Sequence, residues 1–147
     1  MNREEIIKWL QSYKRLKAEH DGIVAQINEL AKDRAQLRSP RLDGMPHGGS
    51  TSDPTAAAAE RFIELTARYE ASASDLCQRM REIENAISIV PDSLQREMLR
   101  AHYLRGQSWD NVAHEKVYSV SQCKQLAGKG INCICESLHT SVRMNVV

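Results

Sequence analysis

The sequence is poor in aromatic residues and almost without net charge. Aromatics make up 5% of the 147 residues, with a single phenylalanine. Strand-rich cores draw on aromatic and β-branched side chains. The 41% of apolar residues therefore points to helices packed by Leu, Ile, Val and Ala. No apolar run approaches the ~18 residues that a membrane crossing takes. The opening MNREEIIKW carries acids where a signal peptide has an apolar core. Both features lead to the expectation of a cytoplasmic chain with no membrane partner. Formal net charge is +1, from 20 Lys and Arg against 19 Asp and Glu. That is far from the strongly basic balance of a nonspecific nucleic-acid binder. Residues beyond Val90 carry seven bases and five acids, so the C-terminal part is the positive one.

Catalytic and cofactor signatures are also missing. Gly128-Lys129-Gly130 lacks the spacing of a phosphate-binding loop. No Ser/His/Asp set falls in a pocket-forming context, and His102 and His114 have no orienting motif beside them. The four cysteines are Cys77, Cys123, Cys133 and Cys135. A zinc site wants a CxxC-type pair or a Cys/His cluster. Cys133 and Cys135 are two apart on a predicted helix and point about 200° away from each other. Reduced cysteines in core or surface positions are expected, with no metal, no cofactor and no enzymatic activity.

What is present is concentrated in Gly106 to Asn132. Ser108 is a natural N-cap, followed by Trp109, Val112 and Ala113 at helical spacing, with Lys116 closing the stripe. A break comes at Val117-Tyr118. Ser119 caps the next helix, and Gln122 three residues on completes a capping-box pattern. On that helix Val120, Cys123, Ala127, Ile131, Ile134 and Leu138 share one stripe at about 100° per residue. Ser121, Gln122, Gln125, Gly128, Lys129 and Asn132 fall opposite, with Lys124 at the edge. Amides there can pair with base edges and ammonium groups with phosphates. A helix-turn-helix needs this division between a docking side and a groove side. Ser119, Ser121, Gln122, Lys124, Gln125, Lys129 and Asn132 are the candidate DNA-binding residues.

The span Pro91 to Leu138 resembles the region-4-type helix-turn-helix of bacterial sigma factors. It is most similar to the sigma-70 region 4-like domain of small phage regulators, the RinA/ArpU-type late transcription regulators. The residues that carry the resemblance are Pro91-Asp92, Gln95-Arg96-Glu97, Leu99, Tyr103, Gly106, Ser108-Trp109, Val112-Ala113, Tyr118-Ser119, Cys123 and Leu126. It covers about a third of the chain. It implies sequence-specific binding of double-stranded DNA in transcriptional control within a bacterial host cell, with RNA polymerase as a further partner. There are departures. Lys116 stands where the family usually has Leu. Val117 stands where the turn often has Gly or a polar residue, and a β-branched residue suits a positive-φ turn poorly. Gly128 and Gly130 lie inside the second helix, where each costs about 0.5–1 kcal/mol relative to Ala. Gly128 can let backbone approach DNA, and Gly130 can allow close helix packing.

Upstream, residues 2–37 read as one long helix. Its seam runs through Ile6, Trp9, Tyr13, Leu16, His20, Ile23, Ile27, Leu30, Arg34 and Leu37, with His20 and Arg34 as polar breaks. Such a seam wants a helical partner. Residues 38–53 read as a linker, rich in Pro and Gly, in which His47 has no acid or Cys neighbour to make a site, and Arg38 and Arg41 either touch a phosphate, if the linker lies near DNA, or are solvated. Asp53-Pro54 then opens a second helix as cap and first turn. Its seam runs through Phe62, Leu65, Tyr69, Ala73, Leu76, Met80, Ile83, Ile87 and Val90. Each helix spans about 50 Å at 1.5 Å per residue. Pro91-Asp92 starts a third helix, whose Leu94, Met98, Leu99, Ala101 and Tyr103 offer an apolar surface, and whose Arg96, Arg100 and Arg105 are candidates for phosphates or polymerase. The tail 141–147 is expected to fray.

The resulting expectation is an all-α chain in three parts. Residues 1–90 form a long, coiled-coil-like antiparallel hairpin that makes a homodimer or higher oligomer. Residues 91–140 form a three-helix helix-turn-helix domain, followed by the tail. A DNA-packaging component of the small-terminase kind, and a helical protein-interaction adaptor, are the alternative functions.

Overall fold

The computed structural model describes residues 1–37 and 54–146, and every regular element among them is a helix. The expected linker 38–53, with its Asp53 cap, lies outside the described residues. Five α-helices follow in order: α1 Arg3–Leu37, α2 Pro54–Ser88, α3 Ser93–Leu99, α4 Trp109–Lys116 and α5 Val120–Met144. A single wide π turn, Arg100–Leu104, continues α3. No described helix is long and apolar enough to cross a membrane.

The helix starts follow from local chemistry. Asn2 Oδ1 accepts from the Glu5 amide at 2.9 Å, and Glu5 Oε2 accepts from the Asn2 amide at 2.7 Å. This reciprocal pair caps α1. Asp92 Oδ1 accepts from the amides of Leu94 at 2.8 Å and Gln95 at 3.1 Å, which caps α3. Arg96 Nη1 donates to the carbonyls of Val90 at 2.6 Å and Pro91 at 2.9 Å. It thereby satisfies acceptors freed where α2 ends.

The chain divides into two compact units. One unit is Glu19–Leu76, made of the later part of α1 and most of α2. It has little core. Of its described residues only Leu76 is buried, while Ile23, Ile27, Leu30 and Phe62 are half-buried. An open cavity of about 580 Å³ is lined by Ile27, Leu30 and Arg34 from α1 and by Phe62, Thr66 and Glu70 from α2. Two helices alone cannot enclose their seam residues.

The other unit joins Met1–Ala18 and the end of α2 from Cys77 with all the C-terminal helices. Here the same seams are buried: Ile6, Tyr13 and Leu16 on α1, Ile83 and Ile87 on α2, and Val90 just past its end. Leu10 is fully buried although it lies off the expected seam. The first turns of α1 have further neighbours besides α2, so a wider arc is covered. The Tyr13 hydroxyl donates to Glu84 Oε1 at 2.6 Å across the α1–α2 contact. Met98, Leu99 and Ala101 enter the core as expected, whereas Leu94, in the first turn of α3, stays exposed. α5 continues through residues 141–144, past the point where a fraying tail was expected. Val142 and Met144 on that last turn are exposed.

Two positions fix how the C-terminal helices meet. Gly130 is buried, and a Cβ built on it would lie 2.8 Å from Leu99 Cδ1 and 3.6 Å from Gln95 Cβ. The missing side chain is what lets α5 reach α3. Val117, which ends α4, sits in the left-handed region at φ 60° and ψ 37°, 90% exposed. Its strain is offset by no burial.

Two substitutions test these positions. Val117→Gly removes a β-branched residue from a left-handed turn and raises stability by about 1 kcal/mol. Gly130→Ala gains helix propensity but forces Leu99 aside, with a net loss of about 1 kcal/mol. Trp9 and Trp109 both lie in this unit, so urea unfolding followed by tryptophan fluorescence reads either change.

Candidate nucleic-acid interface

The candidate interface is built on α4, its turn and α5. Ser108 Oγ accepts from the Asn111 amide at 3.2 Å and starts α4, as its sequence position predicts. Val112 and Ala113 face the core. Trp109 is half-buried and stacks on the His102 ring, with centroids 3.9 Å apart and planes 18° apart. His102 Nδ1 donates to the Gln107 carbonyl at 2.8 Å, which holds the imidazole under the indole. Gln107 Nε2 in turn donates to both carboxylate oxygens of Glu115 at 3.1 Å. Nothing in the local sequence marks His102 for this role. The π turn brings it there, because its extra residue shifts side chains around the axis.

After α4 the amide of Tyr118 donates back to the Ala113 carbonyl at 3.1 Å. The Ser119–Gln122 capping box is present in full. Ser119 Oγ accepts from the Gln122 amide at 3.1 Å, and Gln122 Oε1 accepts from the Ser119 amide at 3.0 Å. Gln122 was expected to read bases. Its carbonyl is instead engaged in holding the start of α5, and its NH2 makes no hydrogen bond among the described residues.

α5 presents the two faces that its periodicity predicts. Cys123, Ala127, Gly130, Ile131 and Ile134 are buried. Ser119, Ser121, Gln122, Lys124, Gln125, Lys129 and Asn132 are all exposed, and Gly128 is half-exposed. An open concavity of about 470 Å³ is lined by Ser121, Lys124, Gln125, Gly128, Lys129 and Asn132, together with Arg3 from α1. Arg3 was not among the expected site residues. Its sequence signal is local only: Asn2 and Glu5 bracket it as a capping box, while its approach to Gly128 comes from the tertiary fold.

Two of the three candidate arginines have structural partners. Arg96 holds the carbonyls after α2. Arg105 pairs with Glu97, and Lys116 Nζ reaches the same Glu97 oxygen at 3.3 Å. The Lys116–Glu97 ion pair ties the end of α4 to α3. The Arg105 hydrogen bond holds the Glu97 carboxyl below the ordinary glutamate value of 4.5; partial burial opposes it and Lys116 assists. Cys123 is buried, and Cys77, Cys133 and Cys135 are half-buried free thiols. Among the described residues no cluster of three metal-ligating side chains occurs.

The Glu97 network has a pH signature. Its folded pKa lies below the unfolded one, so its contribution is fully present above about pH 4.5 and is lost as the pH falls through the depressed value. Glu97→Gln therefore lowers the urea midpoint at neutral pH, and the gap to the parent protein closes as the solution is acidified. Added salt narrows the same gap, because these groups are partly exposed. Comparison of the chain with protein-family models, with curated proteins and with solved structures finds no match in any of the three.

Proposed function

We propose that the chain is a sequence-specific DNA-binding transcriptional regulator of the phage or prophage type. In this reading α4 and α5 form a helix-turn-helix, and α5 enters the major groove of double-stranded DNA. One observation carries it. The amide- and lysine-bearing face of α5 stands exposed from Ser121 to Asn132, while the opposite face of the same turns is buried. In a helix-turn-helix the N-terminal residues of the second helix meet base edges. Gln125 is placed for that task and makes no hydrogen bond among the described residues. Gln122 positions the helix start and offers its NH2. Lys124 and Lys129 serve phosphates, and Ser119, Ser121 and Asn132 complete the polar face.

The long helices are then an antiparallel hairpin that joins copies of the chain into a homodimer or higher oligomer. The thin core of the unit Glu19–Leu76 supports this, as do the exposed apolar residues Val24, Ile63 and Leu65 on it. The resemblance to sigma region 4 adds RNA polymerase as a partner. Of the three candidate arginines, Arg100 is the one with no bond among the described residues.

Selection of bound duplexes from random DNA, followed by gel shifts, tests the reading. Gln125→Ala reduces discrimination between sites by about 1–3 kcal/mol. Lys124→Ala or Lys129→Ala weakens binding to all sequences and lowers the slope of log affinity against log salt by about 1. Unchanged binding in all three overturns the proposal. No duplex binding even at low salt turns the reading to a protein-interaction adaptor, and a ring-sized oligomer in solution turns it to a packaging component.

A further inference from the structure

We infer that the first turn of α1 is part of the DNA-contacting surface, with Arg3 as a phosphate-binding cation beside Gly128 of α5. This rests on the DNA-binding reading and adds a residue that lies more than a hundred positions away in sequence. Three observations carry it. A Cβ built on Gly128 would sit 3.1 Å from Arg3 Nη2, so the guanidinium lies directly against the middle of the polar face. The concavity it helps to line holds three cations, Arg3, Lys124 and Lys129, and no carboxylate. Arg3 makes no hydrogen bond or ion pair with any other described residue.

The surroundings explain why the cation is unneutralised. Glu5, two positions on, is turned back onto the Asn2 amide at 2.7 Å by the capping box. Glu4 stands exposed on the same turn but does not line the concavity. Tyr103 is the other near group. Burial pushes its phenol above the ordinary value of 10.0, and the Arg3 charge opposes that rise, so Tyr103 supplies no counter-charge.

Position along α5 fits a phosphate better than a base. The first turns of the second helix reach bases, and its later turns diverge toward the sugar-phosphate strand. Gly128, with Arg3 beside it, lies just beyond the first two turns of α5. A guanidinium presents a planar pair of donors matched to two phosphate oxygens. Gly128 then has a specific use: it leaves room for that plane, at the cost in helix propensity noted above.

The test is a salt titration with a fluorescently labelled duplex of random sequence, read by anisotropy, on the full chain. Each phosphate contact contributes about 0.9 to the log–log slope. Arg3→Gln should lower the slope by about that amount and weaken binding several-fold, with the ranking of preferred sequences and the thermal midpoint unchanged. Arg3→Lys should restore the slope, and Arg3→Glu should lower it further. If Lys129→Ala lowers the slope while Arg3→Gln leaves it at the parent value, Arg3 is not a contact and the DNA-binding reading stands alone. If the parent chain binds no duplex, both fall together.

Discussion

The close approach of α5 to α3 at Gly130 is the contact on which the C-terminal unit depends. A buried glycine against a fully buried Leu99 leaves no room for even a methyl group without rearrangement. Cys123 and Ala127 continue the same side with small volumes, and Ile131 and Ile134 fill the space beyond. Packing of this density tolerates little rotation of a helix about its axis. Burying one stripe therefore fixes the opposite stripe in solvent. The exposure of Lys124, Gln125, Lys129 and Asn132 is a consequence of how the other side packs.

The turn before α5 works with that contact. Val117 accepts a left-handed conformation that costs roughly 1–2 kcal/mol for an L residue. The surrounding bonds over-determine it: Tyr118 donates back to Ala113, and Ser119 and Gln122 exchange bonds across the next helix start. Lys116 and Arg105 converge on Glu97 from the two sides of α4. The angle between α4 and α5 is thus held by polar groups at the rim and by Val112 and Ala113 beneath.

Features set by near neighbours were legible in the sequence. The caps at Ser108 and Ser119 and the stripe on α5 all rest on spacings of three or four residues. The two long helices follow from seams of the same spacing. The features that escaped depend on residues far apart in sequence. Leu10 is buried because the start of α1 meets more than α2, so a single seam underestimates its covered arc. The two compact units take their boundaries from packing between segments far apart in the chain, Met1–Ala18 with the residues from Cys77 onward. Arg96 and Arg105 look like surface cations in a string of letters, and only the folded chain supplies Val90, Pro91 and Glu97 as their partners. Gln122 illustrates a conflict within the local code. The capping-box and base-reading roles call for the same carbonyl, and the helix start takes it.

The low net charge acquires a meaning once those partners are removed from the count. Arg96, Arg105 and Lys116 are held by carbonyls or by Glu97, and the cations that line the concavity on α5 are Lys124, Lys129 and Arg3. On the DNA-binding reading, three phosphate contacts give a salt slope of roughly −2.7, well short of the slope near −10 of a strongly electrostatic repressor. On the same reading, one copy with so few contacts would bind DNA weakly. Linking two copies makes the second binding event intramolecular and can raise avidity by about 10²–10⁴ without any new contact. The thin, apolar-surfaced unit formed by α1 and α2 is where such linkage would arise. On that reading a second copy of the chain would answer both the charge economy of α5 and the incomplete core of the long helices.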